Sequence, residues 1–237
     1  MHNEDQLLLL YTALDYKFLD SQLIHTALIH RSYTNEAPLG TKNNERLEFL
    51  GDAVLELIIT EYLYENYPDR SEGELTSFRA AVVRTESLAE TAEKLGLGIY
   101  IYMSKGEESS GGRQRPYILA NTFEAILGAM YMDSNVIECK KFIAKNLIIK
   151  LPAIIDNRLD IDSKSKLQEI AQELYKFTPT YEVVSEAGPD HNRTFTVKVV
   201  IVGKDYGQGD GKSKQEAEQN AAREGLNRLK YNQGEIN

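Results

Sequence analysis

Asn44-Glu45-Arg46-Leu47-Glu48-Phe49-Leu50-Gly51-Asp52-Ala53-Val54-Leu55-Glu56 reads as a helix from its first residue. Asn44 is a capping type, Glu45 lies in the first turn where the helix dipole favours an anion, and the apolar residues beyond recur at helical spacing. At 3.6 residues per turn, Leu47, Leu50, Val54, Leu57 and Ile58 gather on one face, the expected core-facing stripe. Glu45, Glu48, Asp52 and Glu56 gather opposite it, within an arc of roughly 80°. Four like charges on one stripe repel each other. Two readings follow. Either the stripe holds a hard divalent cation, with Mg²⁺ foremost because it takes carboxylate oxygens, water and phosphate, or it is a solvated acidic face.

The string from Asn44 to Asp52 resembles the signature of the ribonuclease III family, Mg²⁺-dependent endonucleases that cut double-stranded RNA. The resemblance extends to His30-Arg31-Ser32-Tyr33, to Ala120 through Asp133, and across the C-terminal third. It therefore covers nearly the whole chain in family order.

The 237 residues suffice for one large or two small domains with a real core. The single cysteine, Cys139, excludes an internal disulfide framework and points to a reducing compartment. The longest apolar runs, such as Leu7 to Leu10, are far too short to span a bilayer. The first residues, Met1-His2-Asn3-Glu4-Asp5, carry acids where a signal peptide would be basic. The expectation is a soluble, cytoplasmic protein with no membrane partner. A net charge of −9 is the wrong sign for tracking phosphates by bulk electrostatics. Residues 1–160 carry 16 Lys and Arg against 24 Asp and Glu, whereas 161–237 carry 11 against 12. Any RNA contact must use local basic clusters.

Along the chain, Glu4 to Leu14 and Ser21 to His30 are short amphipathic helices, the second starting at a capping serine. The signature helix ends near Asn66-Tyr67-Pro68. Glu74 to Leu95 follows as one helix closed by Gly96. Ser104 to Pro116 is rich in Gly and Ser and reads as a loop whose arginines are candidate phosphate contacts. Helices over Tyr117 to Met132 and Val136 to Lys150 complete the first part. Beyond, Ser163 to Tyr175 is helical, Thr180 to Ser185 and Thr194 to Val202 alternate like strands, Asp205 to Gly207 is a short third strand, and Ser213 to Leu229 is a helix. This order resembles a double-stranded RNA binding domain. The fold expected is a mainly α N-terminal endonuclease domain, a helical bundle of ribonuclease III type, with a small α+β (α-β-β-β-α) C-terminal domain. The boundaries expected are a catalytic and dimerisation domain over 1–158, a linker over 159–162, an RNA-binding domain over 163–232 and a tail over 233–237.

Asn121 and Glu124 lie one turn apart on a shared helix face, with Gly128 on the same stripe. An interior glycine costs about 1 kcal/mol relative to alanine, which the close approach of another helix would justify. The expectation is that this stripe meets the acidic one, gathering Glu48, Asp52, Asn121 and Glu124 as metal ligands, with Asp52 and Glu124 the catalytic pair. In the family all four positions are typically carboxylates. Here Asn121 stands where aspartate is usual, so the site loses one charge and weaker metal affinity is expected. The alternative reading is a catalytically impaired double-stranded RNA-binding protein, silenced by Asn121.

The mechanism the resemblance implies is phosphodiester hydrolysis assisted by Mg²⁺, with Mn²⁺ as substitute. Its products carry 5′ phosphates and short 3′ overhangs, and its substrates are precursors of ribosomal RNA and messenger RNA. Glu45 and Glu72 take supporting roles. Phe49 falls away from the core stripe, so a monomer would expose it and an isologous dimer would hide it. Family members are homodimers. In the second domain the resemblance puts Gln168 and Glu169 at one minor groove, His191 at the next, and Lys212, Ser213 and Lys214 at the phosphates between. Ser213 with Glu216 forms a capping-box pattern, so two lysines lie at a helix N-terminus, an anion site.

Overall fold

The computed structural model describes residues 4–156, 163–188 and 193–234. The chain divides into two compact units, Met1–Asp160 and Ile161–Asn237. The linker expected over 159–162 and the tail residues 235–237 lie outside the described residues, as does His191.

The first unit is helical throughout: α1 (Glu4–Leu14), α2 (Ser21–Ala27), α3 (Glu45–Asn66), α4 (Glu72–Val83), α5 (Thr85–Lys94), α6 (Lys105–Ser109), α7 (Pro116–Asp133), α8 (Val136–Asn146) and α9 (Leu151–Asp156). Its centre is the packing of α3 on α7, with α2, α5 and α8 against α7. Helix α7 is buried almost all round, from Ile118 to Met130, because its sequence has few polar residues to offer solvent. Pro116 sits in its first turn, where a missing N–H costs nothing.

Several elements differ from the sequence expectation. Helix α2 stops at Ala27 because the next residues pair with Tyr102: Tyr102 N donates to Leu28 O at 2.8 Å and His30 N to Tyr102 O at 2.9 Å. Its cap is Asp20, not Ser21, with Oδ1 accepting from Gln22 N at 2.8 Å. The single helix expected over Glu74 to Leu95 is two. A Ser71–Glu74 capping box starts α4 at Glu72, and Arg84 (φ −59°, ψ 151°) is extended between α4 and α5. The β-branched run Val82, Val83 and Thr85 flanks that break and weakens helical continuity there. Gly96, with φ 66°, takes the left-handed position after α5.

The stretch from Ser104 to Pro116 is not an open loop. The Ser104 hydroxyl caps α6, and a 3-10 turn covers Gly112–Gln114. Its arginines bond to the protein itself. Arg113 donates to the carbonyls of Gly98 and Ile101 at 2.9 and 3.0 Å, and Arg115 pairs with Glu107 at 2.7 Å. Helix α8 ends at Asn146, short of Lys150, and a separate 3-10 turn covers Ile148–Lys150.

The second unit comprises α10 (Ser163–Tyr175), β1 (Thr180–Ala187), β2 (Thr194–Ile201), β3 (Lys204–Gly211) and α11 (Lys214–Gly234). The strands form one antiparallel sheet in the order β1-β2-β3, with Thr180 opposite Val200 and Val199 opposite Gly207. Leu167, Ala171, Val197, Val199, Ile201, Ala217, Ala221 and Leu226 form its core. Strand β3 runs eight residues, against the three expected, because its inward positions are glycines and leave no apolar alternation to read. A Cβ at Gly209 would stand 2.2 Å from Ala221 N, and one at Gly211 2.4 Å from Ala217 N. Side chains there would lift α11 off the sheet. Among the described residues no helix is long and apolar enough to cross a membrane.

Candidate active site

The N-terminus of α3 is built differently from the capping arrangement its sequence suggests. Asn44 is buried, makes no side-chain cap bond, and donates from its amide to Ala27 O at 3.3 Å. Asn43 Oδ1 instead accepts from Glu45 N at 3.2 Å, and Asn43 Nδ2 donates to Glu45 Oε2 at 2.9 Å. The root of α3 is thereby pinned to the turn after α2, while Glu45 stays at the surface.

The crossing of α3 and α7 is set by two glycines. A Cβ on Gly51 would stand 1.8 Å from Glu124 O, and one on Gly128 2.1 Å from Leu47 O. No other residue allows the backbones this close. The sequence singled out Gly128 but passed over Gly51, whose signal was the same: an interior glycine beside a stripe of acids.

This approach carries Glu48 and Asp52 of α3 up to Asn121 and Glu124 of α7. Glu124 is half-buried, and its carboxyl is pushed up to about 8 by burial first, then by Asp52, Glu48 and Glu56. Glu48 is also raised, by burial and by Glu45, and is held back by the Asn121 amide and by Arg31. Among the described residues no three His, Cys, Asp or Glu side chains converge on one point that could hold a metal ion. The acids interact through space: Asp52, Glu48 and Glu56 all act on Glu124.

Those residues nevertheless suit a divalent ion. The oxygens are hard donors, and the carboxyls of Glu124 and Glu48 are raised first by burial and then by neighbouring acids, a repulsion that a cation would relieve. Glu56, read earlier as one of the four stripe acids, pairs with Arg79 at 2.8 Å while still acting on Glu124. Glu72 opens α4, its Oε1 accepting from Thr76 Oγ1 at 3.1 Å, on a groove shared with Arg70, Arg79, Tyr64 and Tyr67.

In the second unit Gln168 and Glu169 are exposed on α10. Ser213 caps α11, its Oγ accepting from Glu216 N at 3.1 Å, but Glu216 returns to the N–H of Lys212 at 2.7 Å rather than to that of Ser213. Lys212 and Lys214 therefore flank a helix N-terminus, as the sequence suggested. Lys214 also pairs with Glu186 at 3.1 Å and lies 5.6 Å from the Phe195 ring centroid. Glu218 pairs with Lys164 at 2.5 Å.

Comparison with known proteins decides what this two-unit arrangement is. Residues 20–151 match the family described as ribonuclease-III-like. The chain belongs to the ribonuclease III family. Residues 163–229, following that ribonuclease III unit, match the double-stranded RNA binding motif. A protein named Ribonuclease 3 from Desulforamulus reducens is 48% identical over 221 residues, covering 93% of this chain and 90% of the relative. Another from Treponema denticola is 44% identical over 207 residues, covering 87% and 84%. The solved nuclease domain of ribonuclease III from Campylobacter jejuni is 42% identical with a TM-score of 0.54, covering 58% of this chain and 96% of that one. That structure is described in terms of flexibility in a region involved in dimer formation. In ribonuclease III terms, the α3–α7 crossing is the centre of the matched region, and the tail unit is the duplex-binding module.

Proposed function

We propose that the chain is an endoribonuclease that hydrolyses double-stranded RNA with the help of Mg²⁺, or of Mn²⁺ in its place. The observation that carries this reading is the α3–α7 crossing, where two glycines let the backbones approach so that Glu48 meets the Asn121 amide and Asp52 acts on Glu124, in a chain whose next unit matches a duplex-binding motif. Glu48, Asp52 and Glu124 would hold the ion through carboxylate oxygens and Asn121 through its carbonyl. What a bound divalent ion supplies is charge for the phosphate oxygens and a more acidic water. Asp52 and Glu124 then serve as the catalytic pair, with Glu45 and Glu72 in support. The half-burial of Glu124 keeps its carboxyl in an environment of reduced screening, where its contact with a cation is strongest.

The products expected are short duplexes with 5′ phosphates and 3′ overhangs, from ribosomal RNA precursors and messenger RNA in the cytoplasm. The lone, buried Cys139 suits such a reducing compartment. Gln168, Glu169 and His191 would meet the minor grooves, with Lys212, Ser213 and Lys214 on the phosphates between. The domains proposed are 1–158 for catalysis and dimerisation and 163–232 for RNA binding, joined through 159–162.

A homodimer is part of the proposal. Phe49, Leu57 and Tyr64 are 80%, 62% and 76% exposed along one side of α3, an apolar row that a second copy would cover. Leu57 was expected in the core. It lies outside because the buried face of α3 is centred on Leu55, Ile58 and Ile59, where neighbouring helices crowd in. Incubating a long RNA duplex with the protein in Mg²⁺ and in EDTA tests the reading. Metal-dependent short products that vanish with Glu124→Gln are expected, and an intact duplex that still shifts on a gel would overturn it in favour of a non-cleaving binder.

A further inference from the structure

We propose that Arg31 is a phosphate-contact residue whose guanidinium grips the RNA backbone beside the acidic surface at the root of α3. The inference rests on the nuclease reading of that surface and names a group through which the substrate is held there.

Arg31 opens a 3-10 turn, Arg31–Asn35, that is fixed on three sides. The His30 ring precedes it, with Nδ1 accepting from Ser32 N at 3.3 Å and lying 2.8 Å from Ser32 Oγ. Ser32 Oγ in turn accepts from Ser104 N at 3.0 Å. Asn44 N donates to Ile29 O at 2.9 Å, tying the same segment to the first turn of α3. The backbone of Arg31 is therefore rigid with respect to Glu45 and Glu48, which is the condition for a side chain to hold a ligand in register.

The side chain itself is uncommitted. It is 71% exposed, and its closest carboxylate oxygen, Glu45 Oε1, is 3.9 Å away, beyond hydrogen-bond length. Among the described residues its guanidinium donates no hydrogen bond. Three arginines farther along the chain differ. Arg79 is consumed by Glu56 and by Thr60 Oγ1, each at 2.8 Å, while Arg113 holds the carbonyls of Gly98 and Ile101 and Arg115 the Glu107 carboxylate. A loose, solvent-screened pair is worth little, so a phosphate can replace Glu45 with small loss. Guanidinium is the group best shaped for that replacement, since its fork of N–H donors matches two phosphate oxygens. An anionic backbone approaching five acids needs such a cation, and Arg31 already acts on Glu48 through space.

The test measures binding of a duplex RNA across a range of salt, in a Glu124→Gln background with Mg²⁺, so that cleavage does not intrude. Arg31→Gln should weaken binding about tenfold, the loss of one charge-assisted pair, and flatten the slope of log affinity against log salt by about one phosphate. Arg31→Lys should restore the slope and only part of the affinity. In the otherwise unaltered chain, Arg31→Gln should raise KM more than it lowers kcat and leave the Mg²⁺ half-saturation unchanged. The proposal is overturned by an unchanged slope, by an equal effect of Arg46→Gln one residue beyond Glu45, or by tightened Mg²⁺ binding with unaltered RNA affinity. The last result would make Arg31 a counter-charge for the acids. Cleavage by the unaltered chain is scored separately, so its absence would remove the nuclease reading while the binding slope still judges Arg31.

Discussion

Gly51 and Gly128 face each other where α3 crosses α7, so closely that a Cβ built on Gly128 would stand 3.0 Å from Gly51 N and 2.1 Å from Leu47 O. The acid cluster exists because of that contact. Replacing Gly128 by alanine forces the helices apart, a case of overpacking that costs about 1–3 kcal/mol. Thermal denaturation should show a melting point lower by roughly 5 °C, and cleavage should fall on the order of 100-fold because the two halves of the site are displaced. A Gly128→Ala protein with unchanged melting and activity would contradict the close crossing.

Asn121→Asp adds a fourth carboxylate where Glu48 and Glu124 are already raised. The Mg²⁺ concentration for half-maximal cleavage should drop, by about tenfold for one more charged ligand. The metal-free protein should become less stable, since the new charge meets only like neighbours. A titration of activity against Mg²⁺ for both proteins decides it, and an unchanged midpoint would place Asn121 outside the metal's reach.

Glu124 gives the metal-free protein a pH dependence of definite sign. Its folded pKa of about 8 lies above the ordinary 4.5, so between those values the native state holds a proton that the unfolded chain has released. Stability therefore declines as pH rises through that window. In EDTA, Glu124→Gln should abolish this decline and raise the melting point at pH 8 by about 2–4 °C, a modest gain because the group is partly solvated. Melting curves at pH 5 and pH 8 that run parallel for both proteins would refute the burial argument.

The exposed row on α3 predicts an association defect. Leu57→Arg combined with Phe49→Arg puts charge into a face that only a second copy would bury. Sedimentation should find the unaltered protein dimeric and the double variant monomeric, with helical content preserved because neither side chain packs in the monomer. A monomeric unaltered protein would dispose of the dimer.

Glu186 pairs with Lys214 in the second unit, and so competes with any phosphate that approaches the start of α11. Glu186→Gln should tighten duplex binding about two- to fivefold, in line with the small worth of an exposed pair. Lys214→Gln should weaken binding and reduce the salt slope by about one. Gel shifts at two salt concentrations separate these outcomes from a structural effect, which would not alter the slope.

Much of the architecture was legible in the residues. Helical periodicity marked α3 and α7, and Gly96 marked the end of α5. The interior position of Gly128 announced a close crossing. What escaped did so for identifiable reasons. Leu57 looked like core because a helical wheel assumes one buried side, whereas α3 is packed off that axis. Strand β3 was cut short because glycines replaced the apolar residues that alternation needs. The segment from Ser104 to Pro116 looked open because its order comes from Arg113 reaching back to the carbonyls of Gly98 and Ile101 and from Arg115 pairing with Glu107, and such bonds leave no periodic trace.

By itself, the sequence determined which side chains share a helix face, and so which acids could act together. It also determined the order of two units whose local patterns differ. Only the tertiary structure decided that Glu124 is half-buried among three other carboxylates, that Glu56 is drawn to Arg79, and that Arg31 is left open beside Glu45. The reason is that helical spacing depends on neighbours along the chain, whereas burial and charge coupling depend on distances between elements that the chain brings together only when it packs.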